Sequence, residues 1–287
     1  MMPLKYHHFS NFMAQQPARR RRIFLLLVVA AMLLVIAFYA VTDTVHLAYN
    51  RTLAGADWMG YAVCHRITER SLVVNGRQFP LCARCTGMYL GVFLVFLVLW
   101  LAGRLRWSLL PPFPILLTLL AFVGLMGIDG VNSYLHFFPN APHVYEPRNW
   151  LRLLTGMGTG LAMGLITLPM LAQTLWRSPV WQAAAGDWRD LLEMVVVASV
   201  AVLLLLSNQP SLLYVLALAS AAGLLLIVTA LNTVTFLLVL RRDGRAERWQ
   251  ETAVPLLIGL VLSLLELSAI SLVRFHFTGT MTGFPGL

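Results

Sequence analysis

All three cysteines of this 287-residue chain lie in one stretch, residues 64–85, which reads CHRITERSLVVNGRQFPLCARC. Cys82 and Cys85 form a C-x-x-C pair, and Cys64 is followed directly by His65. Thiolate sulfur and imidazole nitrogen are the usual ligands of tetrahedral zinc in proteins. The first prediction is therefore a metal site with the ligands Cys64, His65, Cys82 and Cys85, which holds zinc, with iron as the less favoured ion.

Other chemistries fit the same cysteine stretch. Neighbouring side chains of an extended chain point in opposite directions, so His136 or His143 could replace His65 as the fourth ligand. A helix start at the C-x-x-C pair would favour thiolates, which could cycle between dithiol and disulfide with Cys64 as the resolving thiol. A third interpretation is that a metal or a disulfide only staples the loop. The residues alone leave these interpretations open.

Arginines surround the cysteines and recur at the start of a later helix. Arg66, Arg70 and Arg84 belong to the cysteine stretch, and Asn149 and Arg152 open a predicted helix. A guanidinium group offers a planar pair of donors to phosphate or carboxylate, and a helix N-terminus adds backbone N–H groups. We therefore expect these five residues to bind an anion, either a lipid head group or a small anion.

Two acidic residues are placed unusually for an apolar chain. Asp129 follows the third predicted helix, and its pairing with Arg152 is the structural alternative to anion binding. Glu266 lies inside the seventh predicted helix, in LLIGLVLSLLELSAISLV. An ionisable group at that depth is costly unless it has a partner or faces water. We expect Glu266 to form either a proton or cation site or a hydrogen bond to a neighbouring helix, with Asn232 as the candidate partner.

The composition indicates an all-α integral membrane protein. Hydrophobic residues make up 59% of the chain and charged residues 11%, whereas soluble domains average about 45–50% and about 25%. The formal charge of +9 does not indicate a nucleic-acid partner, because the arginines lie at the ends of apolar runs, where they set membrane topology. We predict seven membrane-spanning helices, at residues 23–43, 86–103, 109–128, 151–174, 191–208, 211–240 and 253–275.

The distribution of basic residues predicts the orientation of the chain. Residues 1–22 form a polar tail that ends in four arginines, which is typical of a cytoplasmic amino terminus. The predicted architecture is this tail, a transmembrane core at 23–175 and C-terminal transmembrane helices at 176–287. Two loops of the core, 44–85 and 129–150, then face the extracytoplasmic side together, so the cysteine stretch is expected there.

Glycines spaced four residues apart predict which helices pack together. Gly87 and Gly91 lie on the second predicted helix, and Gly156, Gly160 and Gly164 lie on the fourth. Small residues at this spacing let two membrane helices approach closely. We therefore predict that these two helices pack together, which would bring the two extracytoplasmic loops into contact.

Four sequence motifs resemble a family of bacterial and archaeal multi-pass membrane proteins that is defined as a domain of unknown function. They are CHRITERS at 64–71, PLCARCTGMYLG at 80–91, DGVN at 129–132 and NWLRLLTG at 149–156. The resemblance covers residues 60–165. It implies a location in the bacterial or archaeal plasma membrane and a cysteine-centred motif, but it implies no activity.

These observations converge on a multi-pass membrane protein whose metal site adjoins an arginine-rich anion site. Such a site could serve transport or enzymatic modification of the anion, so the sequence does not decide whether the protein is an enzyme. The alternatives are a membrane thiol oxidoreductase that uses the C-x-x-C pair and a scaffold with a metal-stapled loop. The lipid bilayer is the one partner that follows from the sequence.

Overall fold

The structure is a computed structural model that describes residues 51–281, except 75, 139–141 and 143. Within these residues, short strands and a 3-10 turn connect long α-helices. The helices are α1 Arg51–Val63, α2 Ala83–Leu101, α3 Phe113–Leu135, α4 Asn149–Leu175, α5 Trp188–Leu206, α6 Pro210–Val239 and α7 Trp249–Thr278. The strands are β1 Ser71–Val74, β2 Arg77–Cys82, β3 Trp107–Leu109 and β4 Val180–Ala183.

Helices α2 to α7 correspond in order to the second to seventh predicted helices, and the predicted helix at 23–43 lies outside the described residues. Among the described residues, five helices, α2, α3, α4, α6 and α7, are long and apolar enough to cross a membrane. Helix α5 is as long as α2, but its first two turns carry Arg189, Asp190 and Glu193. The mostly helical membrane architecture is therefore confirmed, with five candidate spans in this part of the chain.

Helix α3 begins later and ends later than the sequence predicted. It starts at Phe113 because Leu110 and Pro111 each precede a proline and so avoid the helical conformation, and Pro112, the N-cap, is extended with a ψ of 154°. Pro114 is tolerated in the first turn, where an N–H has no partner within the helix. The helix continues past residue 128 because the polar side chains of its last two turns have hydrogen-bond partners inside the protein. These buried side chains are Asp129, Asn132 and Ser133.

The predicted loop 44–85 contains ordered structure that the hydropathy pattern did not indicate. Helix α1 precedes Cys64, and the antiparallel hairpin β1–β2 pairs Ser71 with Cys82. The hairpin turns at Gly76, whose φ of 79° suits a residue without a Cβ. The Asn-Gly pair at 75–76 is a known sequence signal for such a turn. The hairpin therefore returns the chain to the region of Cys64 just as α2 begins.

The predicted packing of the second and fourth helices is confirmed by the contact between α2 and α4. A methyl group on Gly87 would overlap the backbone carbonyl of Leu153, and one on Gly160 would overlap that of Met88. A methyl group on any of the other glycines of the two motifs would also overlap the partner helix; they are Gly91, Gly156 and Gly164. Because α2 begins at the cysteine motif and α4 begins at Asn149, this packing brings the two predicted site regions together.

Candidate functional site

The three cysteines form one compact group of sulfur atoms, which we call the thiol cluster. The Sγ atoms of Cys64, Cys82 and Cys85 all lie within 4.8 Å of one another, and all three are free thiols. Cys64 follows the end of α1, Cys82 ends β2 and caps α2, and Cys85 lies in the first turn of α2. Cys64 is buried, and the other two are half-buried. The hairpin fold-back and the helix start thus assemble the cluster from 22 consecutive residues.

Backbone N–H groups point at the sulfur of Cys64. The N–H of Cys82 donates to Cys64 Sγ at 3.2 Å, and the N–H of Arg66 donates to the same atom at 3.5 Å. Arg66 has a φ of 51°, in the left-handed region that few non-glycine residues adopt. Its guanidinium group is held by Asp57 at 2.8 Å, which helps to keep this turn in place. Donors aimed at a sulfur favour its thiolate form or its coordination to a metal.

The three thiols do not titrate alike. Hydrogen bonds from the thiols of Cys64 and Cys85 hold the pKa of Cys82 well below its usual value, and the positive charge of Arg84 adds to the effect. The hydrogen bond between the Cys64 and Cys82 thiols, together with burial, outweighs the backbone N–H of Cys82 and raises the pKa of Cys64 to about 12. A metal-free cluster therefore carries its first negative charge on Cys82.

Arg274 of α7 fixes the end of α1 next to the thiol cluster. Its guanidinium group donates to the carbonyls of Tyr61 at 2.6 Å, Cys64 at 2.5 Å and His65 at 3.3 Å. It also lies over the Tyr61 ring, 4.1 Å from the centroid. The last carbonyls of a helix have no partner within the helix, so a cation there satisfies them. Arg274 thereby sets the position of the backbone that carries the Cys64 sulfur.

Two of the three histidines that we predicted as possible ligands, His65 and His136, lie apart from the sulfurs. His65 is exposed and does not belong to the group of atoms within 4.8 Å. Its neighbour Cys64 points inward, as the alternation of adjacent side chains requires. His136 lies with its Nε2 atom 3.6 Å from a carboxylate oxygen of Glu146. His143 lies outside the described residues.

A second group of polar residues lies beside the first turn of α2, and we call it the arginine cluster: Arg70, Arg84, Arg152, Asp129 and Ser133. Arg84 forms an ion pair with the buried carboxylate of Asp129. Arg84 and Arg152 donate to the Ser133 hydroxyl at 3.2 and 3.4 Å, and Arg70 donates to the Ser133 carbonyl at 2.9 Å. Three guanidinium groups therefore converge on one residue of α3.

The arginine cluster is positively charged as a unit. Its three guanidinium groups and one carboxylate leave an excess of two positive charges within the cluster. Burial, followed by the charges of Arg152 and Arg84, lowers the pKa of Arg70. A bound anion would relieve this repulsion, and guanidinium groups are well suited to phosphate and carboxylate.

Asn149 forms hydrogen bonds that connect the two predicted loops, whereas Arg66 lies outside the arginine cluster. The side-chain Oδ1 of Asn149 accepts from Arg152 at 2.9 Å, and the side-chain amide of Asn149 donates to the backbone carbonyl of Glu69 at 3.1 Å. The predicted contact between the loops is therefore confirmed. Arg66 instead shares Asp57 with a second arginine, so the structure gathers four of the five predicted anion-binding residues around the arginine cluster.

The thiol cluster and the arginine cluster are neighbours. Arg84 lies between Cys82 and Cys85 in the sequence and belongs to the arginine cluster, so the first turn of α2 contributes to both. Each cluster affects the charge of the other. The positive charge of Arg84 lowers the pKa of Cys82, and the negative charge of the Cys82 thiolate raises the pKa of Arg70, against the lowering by burial. An anion bound by the arginines would consequently lie close to the sulfurs.

Sequence reasoning missed three residues that shape these clusters. Ser133 lies four residues after Asp129, on the same face of α3, but the helix was predicted to end at 128. Tyr145 donates its hydroxyl to Asp129 at 2.9 Å, and no local pattern marks a tyrosine in a loop for this role. Arg274 comes from α7, 210 residues beyond Cys64, and only the tertiary structure brings the two together.

Glu266 belongs to neither cluster. Its carboxylate accepts from the side-chain amide of Asn232 at 3.0 Å, and the same amide donates to Ser263 Oγ at 3.0 Å. The predicted partner of Glu266 is therefore confirmed. This polar contact joins α6 to α7.

The apolar helices and the polar site at their ends define an integral membrane protein. The chain belongs to the family of predicted membrane proteins called DUF2085, whose sequence model matches residues 64–166. The resemblance inferred from the motifs is thus confirmed. The matched residues include both clusters, but they end before Arg274.

Two archaeal relatives illustrate the family. An uncharacterised protein of Methanothermobacter thermautotrophicus is 32% identical over 105 residues, which cover 37% of this chain and 84% of the relative. An uncharacterised protein of Methanocaldococcus jannaschii is 24% identical over 122 residues, which cover 40% of this chain and 67% of the relative. No solved structure matches the chain.

Proposed function

We propose that the thiol cluster binds one zinc ion and that the arginine cluster binds an anion beside it. The observation that carries this proposal is the convergence of the Cys64, Cys82 and Cys85 sulfurs within 4.8 Å. A Zn–S bond of about 2.3 Å places two sulfurs of a tetrahedral site about 3.8 Å apart. The sulfurs therefore need only small shifts to reach coordination distance, and iron remains the less favoured alternative.

Three thiolates leave the fourth position of a tetrahedral zinc ion to another ligand. Water or the anion itself can fill this position, as in zinc sites that keep an open coordination position. Zinc with three thiolates carries one net negative charge, and the neighbouring arginine cluster carries two positive charges. The two sites are thus electrostatically compatible, and together they retain one positive charge for an incoming anion.

The anion is held by Arg70, Arg84 and Arg152, with Asn149 positioning Arg152. It is either the phosphate of a lipid head group or a small inorganic anion. We further propose that the whole chain spans the membrane seven times with its amino terminus in the cytoplasm. The site then faces the extracytoplasmic side, an orientation that the predominance of basic residues in the opposite segments supports.

Zinc affinity in a set of variants tests the ligand assignment. The full chain is purified in detergent, and zinc is titrated in competition with a chromophoric chelator. Cys64→Ser and Cys85→Ser should each weaken binding by at least about 100-fold, because a hydroxyl is a poor zinc ligand. His65→Ala should bind like the wild type. A large loss in His65→Ala would restore histidine as the fourth ligand, and unchanged affinity in both serine variants would refute the site.

The low pKa of Cys82 favours one alternative function, a thiol–disulfide oxidoreductase. A stabilised thiolate at the start of a helix is the reactive form of such enzymes. This alternative requires Cys82 and Cys85 to form a disulfide that is reducible by dithiothreitol. Mass spectrometry after differential alkylation would detect that disulfide, whereas the zinc proposal predicts that all three thiols are reduced in the purified protein.

A further inference from the structure

Tyr89 of α2 shares a helix face with two of the cysteines. It follows Cys85 by four residues and the N-cap residue Cys82 by seven, and residues at these spacings lie one above the other on a helix. Aromatic side chains on a helix point back toward its N-terminus, over the preceding turn. The Tyr89 ring therefore extends along α2 toward the sulfur atoms.

Tertiary packing places the Tyr89 side chain next to the thiol cluster. It belongs to the same buried apolar group as Cys64, and Cys82 and Cys85 pack against that group. Electrostatic interactions link its hydroxyl to all three cysteines, and the strongest of them is with Cys85. The backbone of Tyr89 is held from the other side, because a methyl group on Gly223 of α6 would overlap the Tyr89 carbonyl. The ring is thus confined between α6 and the sulfurs.

The hydroxyl group of Tyr89 forms no hydrogen bond with any residue that the structure describes. Its side chain is only 8% exposed, although water still reaches part of it. A buried tyrosine hydroxyl normally has a hydrogen-bond partner, because an unpaired polar group in the protein interior is costly. Tyrosines of the membrane interface satisfy this need in the head-group region, but their side chains face the lipid. The Tyr89 hydroxyl is therefore available to a ligand that lies beside the sulfurs.

We propose that Tyr89 donates a hydrogen bond to a water molecule that occupies the fourth coordination position of the zinc ion. This role rests on the proposed zinc site and deepens it, because it names the fourth ligand and the partner of that ligand. Water suits the position better than the Tyr89 oxygen itself, since a tyrosinate would give zinc and three thiolates two net negative charges among apolar side chains. It also suits the position better than an anion, because the side chains around Tyr89 are apolar; they include Val92, Leu224 and Ile227.

Cobalt substitution tests the role of Tyr89, because the visible absorption of a tetrahedral Co²⁺ ion depends on all four ligands. The full chain is purified in detergent, freed of metal by a chelator under reducing conditions and titrated with Co²⁺. Tyr89→Phe removes only the hydroxyl group. We expect its cobalt dissociation constant to rise by about tenfold, as is typical when the partner of a metal ligand is lost, and its d–d absorption bands to shift. Azide, which replaces bound water, should change the spectrum of the wild type.

Tyr61→Phe is the matched control. Tyr61 is fully buried and lies three residues before Cys64, but its hydroxyl is hydrogen-bonded to Thr278 Oγ1 at 2.5 Å. This variant should lower the thermal unfolding temperature and keep the cobalt affinity and spectrum of the wild type. Tyr89→Phe should instead keep the unfolding temperature of the metal-free protein, because it removes no hydrogen bond there.

Equal cobalt affinity and identical spectra in Tyr89→Phe and the wild type would overturn the inference. A wild-type spectrum that azide leaves unchanged would overturn it too, because a protein ligand would then fill the fourth position. A wild type that binds no cobalt would refute the metal site and the role of Tyr89 together. Cobalt binding that is lost in Cys85→Ser but unaltered in Tyr89→Phe would refute only the role of Tyr89.

Discussion

The thiol cluster and the arginine cluster differ in how the chain builds them. The cysteines come from 22 consecutive residues, and one hairpin and one helix start bring them together. The arginine cluster draws on the cysteine loop, α2, α3 and α4, so it exists only when those helices are packed. One site is therefore mainly local in origin, and the other depends on the assembly of the membrane core.

Disrupting the packing of α2 against α4 tests this difference. Gly160→Leu would drive a side chain into the backbone carbonyl of Met88, which has no room to move aside. We expect a loss of about 3 kcal/mol of unfolding free energy and the disruption of the arginine cluster, whereas the thiol cluster should retain most of its zinc. Thermal unfolding in detergent and zinc content measure the effect. Gly127→Leu is the matched control, because a side chain there meets open space on α3.

A substitution at Asp129 should disrupt the arginine cluster and leave the thiol cluster intact. Asp129→Asn leaves the Arg84 guanidinium without its buried carboxylate, and breaking such a pair costs about 3 kcal/mol. Zinc binding should remain, because the contacts that the structure describes for Asp129 are with Arg84 and Tyr145 and not with a cysteine. Glu247→Gln makes the same chemical change in an exposed ion pair with Arg177 and should alter stability by less than about 1 kcal/mol. Loss of zinc in Asp129→Asn would show that the two clusters are one structural unit.

Within the thiol cluster, Cys82 and Cys64 should react differently with an alkylating reagent as the pH changes. An ordinary thiol with a pKa of 9.0 gains thiolate about fiftyfold between pH 7 and pH 9. Because the pKa of Cys82 is well below this value, its alkylation rate in chelator-treated protein should rise much less than fiftyfold over that range. Cys64, with a pKa of about 12, should stay almost unreactive. Mass spectrometry of the alkylated peptides measures these rates. A fiftyfold rise in the alkylation rate of Cys82 would contradict its lowered pKa.

The smallest expected effect is that of Arg274, the α7 residue that donates to the backbone carbonyls next to the thiol cluster. Arg274→Gln removes most of the donors that hold the carbonyls of Cys64 and His65. Residues that orient a metal ligand typically change metal affinity by 10–100-fold, and we expect about tenfold here. Arg245→Gln changes an exposed arginine of the loop between α6 and α7 and should have no effect. Equal zinc affinity in the two variants would assign Arg274 a role in stability alone.

The same contrast explains what could be predicted from the sequence. Hydropathy located the helices, glycine spacing located the contact between α2 and α4, and the C-x-x-C pair located the thiol cluster. Ser133 was missed because α3 extends past residue 128 only when buried polar residues such as Asp129 and Ser133 have hydrogen-bond partners. Those partners come from other parts of the fold and are not visible in the local sequence. Arg274 was missed because its partners are backbone carbonyls, which leave no pattern in side-chain sequence. The assignment of His65 as a ligand followed its position beside Cys64, although adjacent side chains diverge.

Metal content and thiol content of one purified sample test the central claim most directly. The full chain is purified in detergent without chelator, and its metals are quantified by mass spectrometry beside its reactive thiols. We predict about one zinc ion per chain and three thiols that react fully only after the metal is removed. A sample without metal, in which two of the three thiols form a reducible disulfide, would contradict the metal site and support the oxidoreductase.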